Sequence, residues 1–373
     1  MPFVDLKAQY ARLKPGIDAR IHAVLDHGRY ILGPEVAELE AELCRVSGAR
    51  HAVGVASGTD ALLVALMAES IGPGDAVFLP AFTFPATAEV VCCVGAEPVF
   101  AEVEAETFNI DVADLERRID AVRRKGRLRP RAVIAVDLYG LPADYDAVRA
   151  VSDRHGLFVI ADAAQSFGAR RGGRGVGTLA PVTAVSFYPA KPLGGYGDGG
   201  AILTDDDGRA DLLRSLRVHG EGGGQYDIVR IGRNARLDTL QAAILLAKLE
   251  AFAEDLAARN AVAGWYDCRL DGIVATPGRP PETQSAWAQY TLVLDSGERD
   301  RVRNRLKAEG VPTMVYYPAP LHLQPAFARF GGGSGSLPVS EDLCRRVVSL
   351  PIHPDLDEGT VDRIAEAVRR AVA

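Results

Sequence analysis

Between about residue 50 and residue 205, the sequence alternates short apolar runs with longer stretches of helical periodicity. The apolar runs predict strands: HAVGVAS, AVFLP, EPVFAEV, RAVIAVDLYG, LFVIADA, TAVSFYP and GGAILTD. Between them lie helical patterns such as DVADLERRIDAVRRKG and DYDAVRAVSDRHG. Strands separated by helices favour a mainly parallel sheet with helices on both faces. The sequence therefore predicts an α/β fold whose ligands bind at the carboxyl ends of the strands.

The pattern changes in the second part of the chain. LDTLQAAILLAKLEAFAEDLAARNAVAGWYDCRL, which begins at about residue 236, predicts one long helix. Beyond it, WAQYTLVLD predicts a strand, and RDRVRNRLKAEG and VDRIAEAVRRAVA predict helices. Because domains of about 100–200 residues are usual, a chain of 373 residues is expected to form two domains, or one large domain with an appendage. We predict a large domain over 1–250 and a smaller α+β domain over 251–373.

Composition excludes several classes of protein. The formal net charge is -7 and no dense run of Lys or Arg occurs, so we expect neither a nucleic acid nor an anionic membrane as partner. No stretch approaches ~20 uninterrupted apolar residues, so no transmembrane helix is expected. The five cysteines form no CxxC pair and no zinc pattern, and no metal site is predicted. Unpaired thiols are typical of a reducing compartment, which indicates a soluble, cytoplasmic protein.

Two of the predicted strands run directly into polar residues. HAVGVA is followed by Ser57, Gly58 and Thr59 and then by an apolar helix. The free amides at the start of such a helix can hold a phosphate, although an ordinary Ser or Thr helix cap explains the same pattern. The strand LFVIA ends at Asp162, which is either a functional acid or the cap of the next helix.

Lysine is rare in this chain, with six among 42 basic residues. Two lie near the N-terminus, and three lie in helical patterns where solvated faces are expected: Lys125, Lys248 and Lys307. Only Lys191 lies between an apolar strand and a glycine-rich loop, with prolines on both sides. An amine in so rigid a loop is positioned to form a Schiff base; the alternative is a loop lysine that bonds to a backbone carbonyl.

The loop after Lys191 also contains the pattern Gly195-x-Gly197-x-x-Gly200. It precedes a strand instead of joining a strand to a helix, so a dinucleotide is not favoured. A phosphate cradle, an acid after a strand and one lysine in a rigid loop together match the needs of pyridoxal phosphate. The lysine would hold the aldehyde, the helix start the phosphate, and the acid the protonated pyridine nitrogen.

The chain resembles the DegT/StrS family of sugar aminotransferases, which use pyridoxal phosphate and have the type I aminotransferase fold. The resemblance runs nearly the whole length and rests on ordered motifs: YILGPEVAELE, SGTDAL, PAFTFPATA, ADAAQSFGA, SFYPAKPLGGYGDGGA, LRVHG and GRNARLDTLQAAIL. It implies a large domain with a mainly parallel sheet sandwiched by helices, and a smaller C-terminal α+β domain.

The resemblance also implies roles for residues around the cofactor ring. Lys191 would form the Schiff base and, once freed, act as the general base. Asp162 would pair with the pyridine nitrogen, and Gln165 would bond to the phenolic oxygen. Phe84 would stack on the ring, although packing beside Phe82 explains an apolar residue there as well.

The cofactor phosphate has its own implied residues. The backbone amides of Gly58 and Thr59, with the hydroxyl of Ser186, would hold it. Asn234 would reach it from the neighbouring subunit, because the family builds its active sites at a homodimer interface. A loop-capping amide is the alternative for Asn234.

On the substrate side, the motifs resemble most the enzymes that aminate C-3 of a nucleotide-linked keto sugar, with L-glutamate as amino donor. One branch takes the UDP-linked 3-keto-glucuronate of N-acetylglucosamine, and Arg236 and His322 are the candidates to bind its carboxylate. A structural ion pair and a packed loop histidine are the alternatives for these two residues. A C-4 keto-sugar aminotransferase and a pyridoxal-phosphate sugar dehydratase remain open, although some dehydratases have histidine where Lys191 stands.

Overall fold

A computed structural model describes residues 1–224 and 226–373. The strands are β1 (His51–Val55), β2 (Asp75–Pro80), β3 (Glu97–Ala101), β4 (Arg129–Val136), β5 (Phe158–Asp162), β6 (Arg170–Arg171), β7 (Arg174–Gly175), β8 (Val182–Ser186), β9 (Gly200–Thr204), β10 (Thr283–Gln284), β11 (Tyr290–Val293) and β12 (Val347–Leu350). The helices are α1 (Leu6–His27), α2 (Pro34–Ser47), α3 (Gly58–Ala68), α4 (Ala86–Cys93), α5 (Val112–Lys125), α6 (Tyr145–His155), α7 (Asp207–Leu216), α8 (Thr239–Leu249), α9 (Phe252–Leu270), α10 (Arg299–Ala308), α11 (Pro338–Arg346) and α12 (Glu358–Val372).

The main sheet has seven strands in the order β1-β9-β8-β5-β4-β2-β3. β9 is antiparallel to both of its neighbours, and the other pairings are parallel. The predicted α/β fold with a mainly parallel sheet is therefore confirmed. Because β5 and β8 are adjacent and parallel, Asp162 and Ser186 end their strands at the same edge of the sheet.

Helices cover both faces of this sheet. In β2, Ala76 and Phe78 pack with α2, α5, α6 and α8, whereas Val77 and Leu79 pack with α3, α4 and α7. The same alternation runs along β4. A strand that is buried on both faces needs apolar side chains at every position, which is why these strands are continuous apolar runs in the sequence.

The single long helix predicted from about residue 236 is wrong, because the chain forms two helices there. α8 ends at Leu249, and α9 begins at Phe252 after a break at Ala251, which has φ −100° and ψ 1°. The turn lets the Phe252 ring stack on Phe167 with centroids 5.5 Å apart. Periodicity alone missed this break because neither glycine nor proline marks it.

The C-terminal part has its own hydrophobic cluster, whose buried members lie between Val262 and Ala371. β11 and β12 pair within it, and α12 packs on α9 and α10. Other contacts cross the expected boundary: β10 pairs with β6, and Leu321 packs with α3 and α4. The division at 250 and 251 stays a prediction. Among the described residues, no helix combines the length and apolarity needed to span a bilayer.

Candidate active site

Asp162 is the last residue of β5, and its carboxylate is buried. One oxygen accepts a hydrogen bond from Oγ1 of Thr87 at 2.9 Å, and the other accepts one from the amide of Ala164 at 3.2 Å. Burial raises the pKa of Asp162, whereas these hydrogen bonds and the charge of Lys191 lower it. The carboxylate is therefore held in one orientation next to a lysine.

Lys191 lies in the loop between β8 and β9, in a turn in which its amide bonds to the carbonyl oxygen of Tyr188 at 2.8 Å. Burial lowers the pKa of Lys191, and attraction to Asp162 partly opposes this. An amine of lowered pKa gives up its proton more readily than an ordinary surface lysine, which favours its use as a nucleophile and base. The structure thus places Asp162 and Lys191 close enough for the charge of each to act on the other.

The start of α3 lies against the end of β8. Oγ of Ser57 accepts a hydrogen bond from the amide of Asp60 at 3.0 Å, so Ser57 is the helix cap. As the first residues of the helix, Gly58 and Thr59 have amides with no acceptor inside it. A Cβ on Gly58 would lie 2.7 Å from Cβ of Ser186. Glycine thus lets the start of α3 lie close to Ser186, so that its free amides and the Ser186 hydroxyl can donate to one anion.

Gln165 and Phe84 meet around Tyr317. Oε1 of Gln165 accepts a hydrogen bond from the amide of Tyr139 at 2.7 Å, and Nε2 donates to the Tyr317 hydroxyl at 3.3 Å. The ring of Phe84 lies 6.2 Å from that of Tyr317, and Phe84 is 54% exposed. A phenylalanine so exposed just before α4 is available to stack on a bound ring.

Asn234 and Arg236 lie on the outer side of β1, the edge strand of the sheet. Their segment pairs with the end of β1, where Arg236 lies opposite Val55. Nε of Arg236 donates to Oδ1 of Asn234 at 2.8 Å. Asn234 is exposed, and Arg236 is half-buried. Both residues are thus at the surface of one protomer, next to the start of α3.

His322 has a different environment from the one expected for a substrate ligand. Its side chain is buried, and Nε2 lies 3.1 Å from Oε1 of Glu341. The ring packs against Phe100 of β3, at the opposite edge of the sheet from Arg236. This environment agrees with the alternative of a packed loop histidine, because the imidazole ring of His322 is buried beside Glu341 and against Phe100. The carboxylate-binding role named for Arg236 and His322 stays a prediction.

Sequence reasoning missed several residues near this site. Thr87 orients Asp162 through the hydrogen bond described above. Asp137, which follows β4, is fully buried and accepts hydrogen bonds from Ala143, Tyr145 and Ser166 at 2.6–2.8 Å. Burial raises the pKa of Asp137 to about 7. The rule that selected Asp162, an acid at the end of an apolar strand, would also have selected Asp137.

Lys248 was expected on a solvated helix face, and this was wrong. The residue is 2% exposed, and Nζ donates to the carbonyl oxygen of Gly194 at 2.7 Å. α1 covers this part of α8, because the buried Ile17 packs on Ala247. Lys125 and Lys307, in contrast, are exposed as expected.

Comparison with known proteins explains the arrangement. Residues 12–369 match the sequence model of the DegT/DnrJ/EryC1/StrS aminotransferase family. The chain belongs to this family. It is an aminotransferase with the type I fold, and its cofactor is pyridoxal phosphate. The residues present fit that group: a glycine-lined anion site, a buried acid at a strand end and a lysine of lowered pKa.

Individual relatives are similar over their whole length. UDP-2-acetamido-2-deoxy-3-oxo-D-glucuronate aminotransferase of Pseudomonas aeruginosa is 47% identical, over 98% of this chain and 99% of its own. A UDP-N-acetyl-3-dehydro-alpha-D-glucosamine 3-aminotransferase of Acidithiobacillus ferrooxidans is 42% identical, over 100% of this chain and 98% of its own. The crystal structure of a family aminotransferase from Brucella abortus is 50% identical, with a TM-score of 0.97 and 99% of both chains covered.

Proposed function

We propose that this aminotransferase moves an amino group from L-glutamate to the C-3 keto group of a nucleotide-linked sugar in a ping-pong reaction. The observation that carries the proposal is the lysine of lowered pKa beside a buried acid, Lys191 and Asp162, next to the amides of Gly58 and Thr59. The choice of a 3-keto sugar rests on the two enzymes from P. aeruginosa and A. ferrooxidans, whose names state 3-oxo and 3-dehydro sugars.

Each residue has a definite task in this proposal. Pyridoxal phosphate, when bound, delocalises the electron pair left after a proton is removed from the amino-bearing carbon. Lys191 would hold the cofactor aldehyde and, once free, would be the base that moves that proton. Asp162 would hold the proton on the pyridine nitrogen, because a carboxylate fixed beside that nitrogen stabilises its positive charge. Gly58, Thr59 and Ser186 would bind the phosphate, Phe84 would stack on the ring, and Gln165 would bond to its phenolic oxygen.

Arg236 is our candidate for a carboxylate on the sugar. Among the described residues, only Asn234 accepts a hydrogen bond from this guanidinium, which can still bind a carboxylate through its terminal amino groups. Arg236→Gln should raise the KM for a 3-keto uronic acid nucleotide about tenfold or more, the loss expected for a charged hydrogen bond. The matched substrate that has a hydroxymethyl group in place of the carboxylate should keep its KM. An equal rise for both substrates would remove Arg236 from this role.

The active unit in this proposal is a homodimer that shares its active sites. The segment before Asn234 exposes several large apolar side chains: Tyr226 at 81%, Ile228 at 51%, Val229 at 53% and Ile231 at 85%. A concentrated apolar surface of this kind is typical of an interface between subunits. A partner that covers it would bring Asn234 to the partner's phosphate site.

Subunit mixing tests the shared site. Lys191→Ala and Asn234→Leu proteins are each expected to be inactive. When equal amounts are unfolded together and refolded, random pairing should restore roughly one quarter of wild-type activity, since half of the dimers would hold one intact site. Each variant refolded alone is the control. No recovery from a mixture that forms dimers would contradict a shared site.

We also propose that the enzyme works in the cytoplasm. Cys93 and Cys268 are exposed and unpaired, and exposed free thiols are stable in a reducing compartment. Labelling of both thiols in freshly lysed cells, before any reductant is added, tests this. A disulfide at either cysteine would count against it.

The substrate is tested with a panel of nucleotide sugars. Cofactor-loaded protein is mixed with L-glutamate and UDP-, dTDP- or GDP-linked 3-keto or 4-keto sugars, and the products are identified by mass spectrometry. We expect an aminated UDP sugar from a 3-keto substrate and one equivalent of 2-oxoglutarate. Amination of 4-keto sugars alone would indicate a C-4 enzyme, and a deoxygenated product without 2-oxoglutarate a dehydratase.

The role of Lys191 is tested in the same assay. Lys191→Ala should be slower by about 10²–10⁴-fold, the usual contribution of a general base. Borohydride reduction of the wild-type protein and peptide mapping should find the cofactor on Lys191. Lys125→Ala, which changes an exposed lysine, is the control. An adduct at any other lysine, or a wild-type rate in Lys191→Ala, would overturn the assignment.

A further inference from the structure

Lys248 is a buried cation that the proposed reaction does not use. Its Nζ donates to the carbonyl oxygen of Gly194 and lies 4.2 Å from the centroid of the Tyr196 ring. Both contacts are on the glycine-rich loop that follows Lys191. Among the described carboxylates, the one whose charge acts on Lys248 is Asp255, which already pairs with Arg12 at 2.7 Å. The ammonium is therefore satisfied mainly by the loop.

The loop folds back on itself at this contact. A Cβ on Gly194 would lie 2.3 Å from the carbonyl oxygen of Pro189. The backbones of Pro189 and Gly194, on either side of Lys191, are therefore in close contact. The amide of Gly195 bonds to the carbonyl oxygen of Phe187 at 2.8 Å. Lys191 thus lies at the tip of a closed turn, and Gly194 lies at its base, where Lys248 bonds.

Stability alone does not account for a lysine at this position. A buried ammonium with one carbonyl and one ring face as partners has lost most of its hydration, and such burial costs free energy. In agreement with this, burial lowers the pKa of Lys248 to about 8. Methionine would fill a similar volume without that cost. A residue that costs stability and contacts the loop of a catalytic lysine fits a positioning role.

We propose that Lys248 is a positioning residue, whose ammonium holds the base of the 189–194 turn against α8 and thereby sets the place of the Lys191 amine. This rests on the proposed role of Lys191. Gln241, which is also in α8, contacts the loop beyond Gly194, since its Oε1 accepts a hydrogen bond from the amide of Tyr196 at 2.8 Å. α8 therefore fixes the loop at two positions, Gly194 and Tyr196, and Lys248 makes the contact nearer to Lys191.

Amide hydrogen exchange and kinetics test this with Lys248→Met. Peptides that cover 189–200 should exchange about tenfold faster or more, with or without cofactor, because a charged hydrogen bond is lost. Peptides of β5 should be unchanged. At saturating amino donor, the rate of the half-reaction should fall about tenfold, with the donor KM within about twofold, because the amine is displaced rather than the donor site. Lys248→Arg should recover part of both, and Lys125→Met should match wild type.

The possible results separate the two proposals. Wild-type exchange in 189–200 together with a wild-type rate in Lys248→Met would overturn the positioning role. Faster exchange throughout the chain would also overturn it, since that indicates a structural role only. If Lys248→Met does not fold, Tyr196→Leu removes the ring from the same contact and must give the same local effect. Absence of a cofactor adduct at Lys191 in wild type would refute the proposed function, whereas the exchange result does not depend on it.

Discussion

Replacing Gly58 with alanine tests the anion site at the start of α3. The new Cβ would lie 2.7 Å from Cβ, 3.2 Å from Cα and 3.2 Å from Oγ of Ser186. Carbon atoms prefer separations of about 3.5–4.0 Å, so the two elements must move apart by about 1 Å. β8 is held between β5 and β9 and cannot yield easily, so the start of the helix must move.

The expected effect follows from this displacement. Overpacking of this size costs about 1–3 kcal/mol. The amides of Gly58 and Thr59 would move away from the Ser186 hydroxyl, and every ~1.4 kcal/mol lost from phosphate binding weakens it tenfold. We expect the Kd for pyridoxal phosphate to rise about tenfold or more, and the free energy of unfolding of the cofactor-free protein to fall by about 1–3 kcal/mol.

Absorbance titration of cofactor-free protein gives the Kd, and urea unfolding gives the stability. Gly264→Ala is the matched control, because Gly264 lies in α9 and the added Cβ would have no atom within 4 Å apart from its chain neighbours and the backbone of its own helix. Alanine should stabilise that helix by roughly 0.5–1 kcal/mol and leave the Kd unchanged. If Gly58→Ala bound the cofactor with wild-type affinity, the phosphate would not lie between α3 and Ser186.

Three further substitutions test the buried charges. Asp162→Asn keeps the shape of the side chain but removes its charge. The half-reaction with the amino donor, measured by stopped-flow, should slow by about 10²-fold or more, which is a typical loss for one electrostatic contact. A loss of less than twofold would argue against a pairing of Asp162 with the ring nitrogen. Asp137 has its pKa raised from 3.8 to about 7, so its contribution to stability is full below pH 3.8 and is lost as pH rises to 7. In Asp137→Asn, the free energy of unfolding in urea should change less with pH between 3.8 and 7. Above pH 7 the variant should be more stable than wild type by up to about 4 kcal/mol. A pH dependence equal to that of wild type would refute this. Lys248 has its pKa lowered from 10.5 to about 8, so its cost is full below pH 8 and is relieved as pH rises to 10.5. In wild type, the free energy of unfolding should therefore rise by up to about 3 kcal/mol between pH 8 and pH 10.5, and Lys248→Met should lack this rise. A rise in Lys248→Met equal to that of wild type would show that another group titrates.

Local patterns in the sequence were sufficient for the architecture. Strands buried on both faces are continuous apolar runs, and helices between them imply a mainly parallel sheet, so β1 to β5 and their connecting helices could be predicted in order along the chain. The same reasoning located Asp162 and Lys191, because residues that follow parallel strands meet at one edge of the sheet. The turn between α8 and α9 escaped it, since the break at Ala251 depends on where Phe252 can pack.

Burial and pairing, in contrast, were decided by residues far apart in the chain. Lys248 lies in an unremarkable helical pattern, and only the packing of α1 over α8 encloses it. The resemblance made His322 a candidate to bind the substrate, but in the structure Glu341 and Phe100 pack against its ring. A lysine or histidine is equally compatible with solvent, a ligand or a buried partner until the neighbouring elements are in place. The sequence thus determined which groups follow which strands, and the tertiary structure determined which of them lose water, because desolvation depends on contacts that no local pattern contains.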